Sequence, residues 1–152
     1  MKTGTFYGIS VGPGDPQLLT IKAVERIRDC QVLATPQTKG ENMLALRIAE
    51  AAVDLTGKTI LPLNFLMTRD PEALRKSHEE VADSIAVYLD NGEDVGMLNL
   101  GDVSIYSTFS YIHDILRQRG YETVVIPGVP SFCAVAAELN TGLTEMGKPL
   151  HI

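Results

Sequence analysis

The chain predicts an α/β fold: a doubly wound, mostly parallel five-stranded sheet flanked by helices. Three observations carry that expectation. Short apolar, β-branched segments alternate with longer helical ones along the chain, the rhythm of successive βαβ units. Several of those segments run straight into glycine turns, at Gly12-Pro-Gly14, Gly101-Asp102 and Pro127-Gly128. At 152 residues the chain has the size of one ordinary domain with a single real core.

Each element has its own signal. Residues 5–11 are β-branched and aromatic and stop at Gly12, which reads as a first strand. Asp15-Pro16 can cap and open a helix over 17–29, whose Leu18, Leu19, Ile21, Ala23, Val24 and Ile27 form an apolar stripe. A short strand over 31–34 is stopped by Pro36, and a helix follows over 43–53. Residues 59–63 form a strand whose Pro62 places it at an edge or a strand end. Asp70-Pro71 repeats the helix start, and that helix runs to Asp90 before Asn91-Gly92 ends it. The fourth strand covers 95–100, followed by a helix from about Tyr106 to Arg119. The fifth strand covers 121–126, and Ser131 caps a last helix reaching Leu139. Residues 141–148 are turn-like, and 149–152 read as the opening of a further strand. The expected division is therefore an α/β domain over 1–147, with 148–152 beginning a second, missing domain.

Composition narrows the function classes. Thirteen Lys and Arg against nineteen Asp and Glu give a net charge of −6, which argues against a broad electrostatic grip on nucleic acid. Arg69, Arg75 and Lys76 nevertheless form a local basic cluster. Cys30 and Cys133 stand alone at wide spacing, as expected of reduced, buried thiols in a cytoplasmic protein. No leader-like segment and no apolar run of membrane-spanning length is present. His78 and His113 sit inside predicted helices without converging ligands, so no metal site is expected. Glu79, Glu80 and Asp83 read as a solvated helix face.

The glycine turns carry the chemistry. In a parallel sheet they share one edge, the carboxyl edge where open α/β sheets bind ligands. Their composition argues against phosphate. The first turn lacks GxGxxG spacing, Pro13 removes a backbone donor, and Asp15 would repel an anion at the helix start. No P-loop is present, since Gly57-Lys58-Thr59 lacks the upstream glycine loop. Asp102 is open to two roles, ligand contact or helix cap, and Ser107 and Thr108 are open to the same two. Tyr106 either stacks on a ligand or packs its ring with its hydroxyl in water. Arg69 follows a strand-like segment, suited to a substrate carboxylate or simply to water. No Ser-His-Asp or Cys-His arrangement emerges, so no residue is singled out as catalytic.

Together the turns are more specific than apart. Gly8-Ile-Ser-Val-Gly-Pro-Gly-Asp-Pro-Gln-Leu-Leu-Thr-Ile-Lys-Ala23, Gly101-Asp-Val-Ser-Ile-Tyr-Ser-Thr-Phe-Ser-Tyr111 and Val125-Ile-Pro-Gly-Val-Pro-Ser131 resemble, in order and spacing, the signatures of the tetrapyrrole (corrin/porphyrin) methylases. Phe65-Leu-Met-Thr-Arg-Asp70 and the Tyr-Ser-Thr-Phe form of the central motif resemble the branch acting at C20 of precorrin-2. The resemblance implies a two-domain methyltransferase of corrin-ring synthesis, with S-adenosylmethionine bound between the domains and S-adenosylhomocysteine released. It also implies a homodimer and a tetrapyrrole substrate, with or without cobalt. By the same resemblance, Pro13, Leu100, Gly101, Asp102, Ile105, Pro130 and Ser131 would contact the cofactor. Val103, Tyr106, Ser107 and Thr108 of the same loop are expected beside them, and Gly12 and Arg69 are expected to face substrate. The sequence departs from the common pattern at Val103, where many relatives have proline, and at Pro130-Ser131, where many have Thr-Ala. Methylation at another ring position (C2/C7 or C11) and a non-catalytic α/β ligand-binding module are the competing expectations.

Overall fold

The computed structural model describes residues 2–37 and 43–152. Its five strands are β1 (Thr5–Ser10), β2 (Val32–Gln37), β3 (Thr59–Asn64), β4 (Val95–Asn99) and β5 (Glu122–Ile126). They form one sheet in the order β3-β2-β4-β1-β5, with every pairing parallel. The helices are α1 (Ile21–Asp29), α2 (Leu44–Ala52), α3 (Pro71–Asp90), α4 (Phe109–Gln118) and α5 (Ser131–Glu138). The expected doubly wound α/β sheet is thus present.

Strand alternation sorts the core into two layers. Phe6, Val32, Ala34, Val95 and Met97 face α3 and α4, where Val81, Ile85, Leu89, Ile112 and Leu116 meet them. Ile9, Leu33 and Leu98 face the opposite way, onto Ala23 and Ile27 of α1 and Ile48 and Ala49 of α2. Connections leaving β1 and β2 therefore cross one face, and those leaving β3 and β4 cross the other. β4, lying between β2 and β1, has a neighbour on each side whose chain departs to the opposite face. Such a reversal leaves a crevice beyond the carboxyl ends of the strands.

Several element boundaries differ from the sequence expectation, each for a local reason. The helix expected over 17–29 is broken: a short 3-10 turn at Pro16–Leu18 follows Asp15, and α1 starts afresh after Thr20, whose hydroxyl accepts from Ala23 N at 3.0 Å. β2 does not stop at Pro36 but continues to Gln37, because β4 pairs only as far as Ala34 and the proline meets β3 alone. Pro62 does lie on an edge strand. α4 starts at Phe109 rather than Tyr106, since Tyr106 adopts a left-handed φ of 49° that no helix contains. Ser131 is the first residue of α5 and not its cap, a place taken by Pro130, which offers no side-chain acceptor. Residues 149–152 form no strand and are exposed.

The polar assignments also shift. Glu79 and Asp83 are not merely solvated: both bind the Arg119 guanidinium, at 2.6 and 2.8 Å, and tie α3 to the end of α4. Cys30 is buried as expected, and loss of hydration, with Asp94 adding to it, pushes its thiol up to about 12. Cys133 is exposed on α5, against expectation. Among the described residues no helix is long and apolar enough to cross a membrane.

Two measurements check this packing. A thiol reagent under native conditions should label Cys133 and spare Cys30, with both reacting in denaturant; two fast native thiols would contradict the burial. Gly8 on β1 abuts the Phe109 ring so closely that an added Cβ would lie 2.5 Å from it. Gly8→Ala should cost about 1–3 kcal/mol of unfolding free energy, with the smaller side chain of Phe109→Leu restoring part of it in the double variant.

Candidate functional site

The three glycine turns meet at the carboxyl edge, and their contacts are direct. Gly12 and Gly101 exchange backbone hydrogen bonds, Gly101 N to Gly12 O at 2.8 Å and Gly12 N to Gly101 O at 3.3 Å. Both residues have left-handed backbones, at φ 75° and 63°, so glycine is required at this bridge. Asp102 spans to the third turn, accepting from Gly128 N at 2.8 Å through one carboxylate oxygen. Its other oxygen accepts from Ser104 N at 2.9 Å and from Ser104 Oγ. Gly128 fits so tightly that a Cβ there would collide with Ser10 and stand 2.7 Å from Gly101 O.

Two buried polar residues complete the joint, and sequence reasoning passed over both. Ser10 ends β1, and its Oγ accepts from Val103 N at 2.8 Å. Asn99 ends β4; its amide donates to Met97 O, and its Oδ1 accepts from Ser107 Oγ at 3.0 Å. Their signal is a polar residue at the last position of an otherwise apolar strand, where burial without a partner would be costly. Gly128 was likewise named only as a turn.

The expected site residues divide into two groups. Leu100, Ile105, Tyr106, Ser107 and Thr108 line a hollow of about 240 Å3 with Pro36, Leu44 and Asn99, on the β2 side of β4. Gly12, Gly101, Asp102 and Pro130 belong instead to the joint between the turns, with Pro130 Cα 3.7 Å from where a Cβ on Gly101 would sit. Val103 turns its side chain into the core, leaving only backbone at the edge. Pro13 is half-buried and Ser131 exposed, and neither lines the hollow. Arg69 lies apart, exposed beside a larger groove between α3 and α4.

Among the described residues, those lining the hollow are all uncharged. Asp102 beside it is ionised. Partial burial works against the charge, but hydrogen bonds from Ser104 Oγ, Gly128 N and Ser104 N outweigh it and hold the carboxyl below its ordinary range. Tyr106 is 90% exposed in its left-handed conformation. Such strain in a tyrosine costs on the order of 1–2 kcal/mol and concentrates at ligand sites.

A parallel α/β sheet with a glycine-jointed crevice beside its central strand defines a domain of the doubly wound α/β class. Residues 5–152 match the family model of the Tetrapyrrole (Corrin/Porphyrin) Methylases, and the chain belongs to that family. Its sequence is 37% identical over 147 residues to the Methanocaldococcus jannaschii protein named "Probable cobalt-precorrin-2 C(20)-methyltransferase", covering 96% of this chain and 62% of that one. It is 32% identical over 154 residues to the cobalt-precorrin-2 C(20)-methyltransferase of Salmonella typhimurium, covering 98% and 62%. In three dimensions it is similar to uroporphyrin-III C-methyl transferase from Thermus thermophilus complexed with S-adenyl homocysteine. That match has a TM-score of 0.66 and 21% identity, over 95% of this chain and 51% of that one. The chain thus spans less than two thirds of the length of these relatives.

The joint predicts a pH signature. A carboxyl held low in the folded state stabilises above its unfolded pKa of about 3.9, and that stability is lost as pH falls through the lower folded value. Asp102→Ala should therefore cost about 1–3 kcal/mol at neutral pH. Urea unfolding across a pH series should show the gap to the parent closing in acid; a gap independent of pH would refute the role of the charge.

Proposed function

We propose that this chain is the cofactor-binding half of an S-adenosylmethionine-dependent C-methyltransferase that acts at C20 of precorrin-2, or of its cobalt form, in cobalamin biosynthesis. The observation that carries the reading is the neutral hollow at the carboxyl end of β4, held open by the interlocked turns at Gly12, Gly101 and Gly128. The ring position rests on the two relatives above, both of which carry C(20) in their names. That support is stronger than anything favouring C2/C7 or C11.

The residues present fit this cofactor. Pro36, Leu44, Leu100 and Ile105 offer apolar walls for a nucleoside, while Asn99, Ser107 and Thr108 add uncharged polar groups. Among the described residues no cation lines the hollow to oppose a sulfonium. Bound there, S-adenosylmethionine supplies an electrophilic methyl group, and the acceptor is an electron-rich carbon of the reduced ring. The task left to the protein is alignment and exclusion of water. The Gly12–Gly101 bridge and the Asp102–Gly128 bond set the edge of the crevice, Tyr106 stands over its mouth, and Leu100 and Ile105 keep it dry. In this reading residues 1–147 are the N-terminal domain and 148–152 lead into a second domain closing the other side of the cleft. The resemblance further supports a homodimer, and the two unpaired cysteines support a cytoplasmic setting.

Incubating the full-length protein with methyl-labelled S-adenosylmethionine and precorrin-2 should place one label at C20 of a trimethylated product. Label at C11, or no transfer, would refute the assignment. The 152-residue chain alone should bind S-adenosylhomocysteine at least about tenfold more weakly than the full-length protein by calorimetry.

A further inference from the structure

A second and larger hollow, about 940 Å3, runs between α3 and α4 beneath the segment 65–69. Phe65, Met67, Leu74, Tyr111 and Ile115 make its walls apolar, and Met67 is 95% exposed. His78 lies along the groove with its ring stacked on Tyr111, centroids 4.7 Å apart, and edge-on to Phe65. Desolvation lowers the His78 pKa, so the imidazole presents a neutral, flat surface.

The charges lining the groove are unequal in availability. Glu79 is engaged by Arg119 at 2.6 Å, whereas Asp114, in hydrogen-bond contact with His113 Nδ1 at 3.1 Å, is the one acidic residue of the described groove wall outside a guanidinium pair. Arg69 and Arg75 make no ion pair among the described residues. An apolar trough is therefore left with two free guanidinium groups in a chain of net charge −6. Thr108 lines both this groove and the neutral hollow beside β4, so the two spaces adjoin at the start of α4.

We propose that the α3/α4 groove seats the rim of the tetrapyrrole, with Arg69 and Arg75 pairing its peripheral carboxylates; this rests on the methyltransferase reading above. A tetrapyrrole is a broad apolar ring carrying carboxylate arms at its edge, which matches apolar and aromatic walls with cations at the margin. Guanidinium groups bind such carboxylates in forked pairs. The shared Thr108 wall puts the seated ring next to the cofactor hollow, as a direct transfer between the two requires.

The probe is uroporphyrin, an octacarboxylic porphyrin, titrated by its fluorescence into the full-length protein, with its octamethyl ester compared in the same water–alcohol mixture. Arg69→Gln/Arg75→Gln should weaken uroporphyrin binding by at least about tenfold, and the ester should bind no better to the parent than to the variant. Arg47→Gln on α2 is the surface control and should leave binding unchanged. S-adenosylhomocysteine affinity, measured by calorimetry on each variant, should not move, which also certifies that the fold is intact. Uroporphyrin binding that is equal in parent and double variant overturns the groove. So does tight binding of the ester, or a groove covered by a second copy, shown as a dimer that Met67→Asp dissociates without affecting uroporphyrin. If S-adenosylhomocysteine fails to bind the parent at all, the methyltransferase reading itself has failed, which is a separate result.

Discussion

The paired backbone hydrogen bonds between Gly12 and Gly101 are the constraint on which the site depends. They join the turns that follow β1 and β4, two strands already paired in the middle of the sheet. Beyond the bridge, Val103 drops into the core while Ile105, Tyr106, Ser107 and Thr108 line the hollow. Asp102 then extends the joint to Gly128 and the β5 turn. Ser10 closes it from below through Val103 N. Three segments far apart in sequence are thereby held by contacts that each use a main-chain N–H, and these tolerate almost no added volume at Gly128.

Rigidity at that joint explains the geometry beside it. With Gly101 and Val103 both anchored, the chain must turn sharply to enter α4, and the turn falls on Tyr106 in a left-handed conformation. Ser107 recovers part of the cost by donating to the buried Asn99 and accepting from Phe109 N at 3.1 Å. Phe109 then drops into the core against Phe6, centroids 5.3 Å apart. The strained residue is exposed while the residues on either side are committed to the core or the joint. The arrangement presents a large aromatic side chain at the mouth of the hollow.

The α3/α4 side shows the same economy in charges. Arg119 gathers Glu79 and Asp83, which ties the two helices together and pairs the Glu79 carboxylate at the groove wall. At the near end the 65–69 segment is held by Leu66 N donating to Ser77 Oγ at 3.1 Å. What remains between is a largely apolar cleft with Arg69 and Arg75 at its margin, adjoining the hollow beside β4 at Thr108.

Much of this was legible in the sequence, because strand and helix periodicities are local properties and the glycine turns mark the strand ends directly. The five strands, the parallel sheet and the family resemblance followed from such signals, as did the role of Asp70-Pro71 in starting α3. The exact helix starts did not: α1 and α4 begin four and three residues later than expected, and α5 begins at Ser131 itself, one residue earlier than a Ser131 cap would place it. The continuation of β2 through Pro36 depended on where β4 stops pairing, and the engagement of Glu79 and Asp83 on an arginine 40 and 36 residues away. The sequence by itself determined the class of fold and the family, both written in residue type and order. Only the tertiary structure decided which named residues line the hollow and which merely brace it. Ser10, Asn99, Asp102 and Gly128 acquire their roles from neighbours that the chain brings together at the sheet edge, and spacing along one chain carries no information about such encounters.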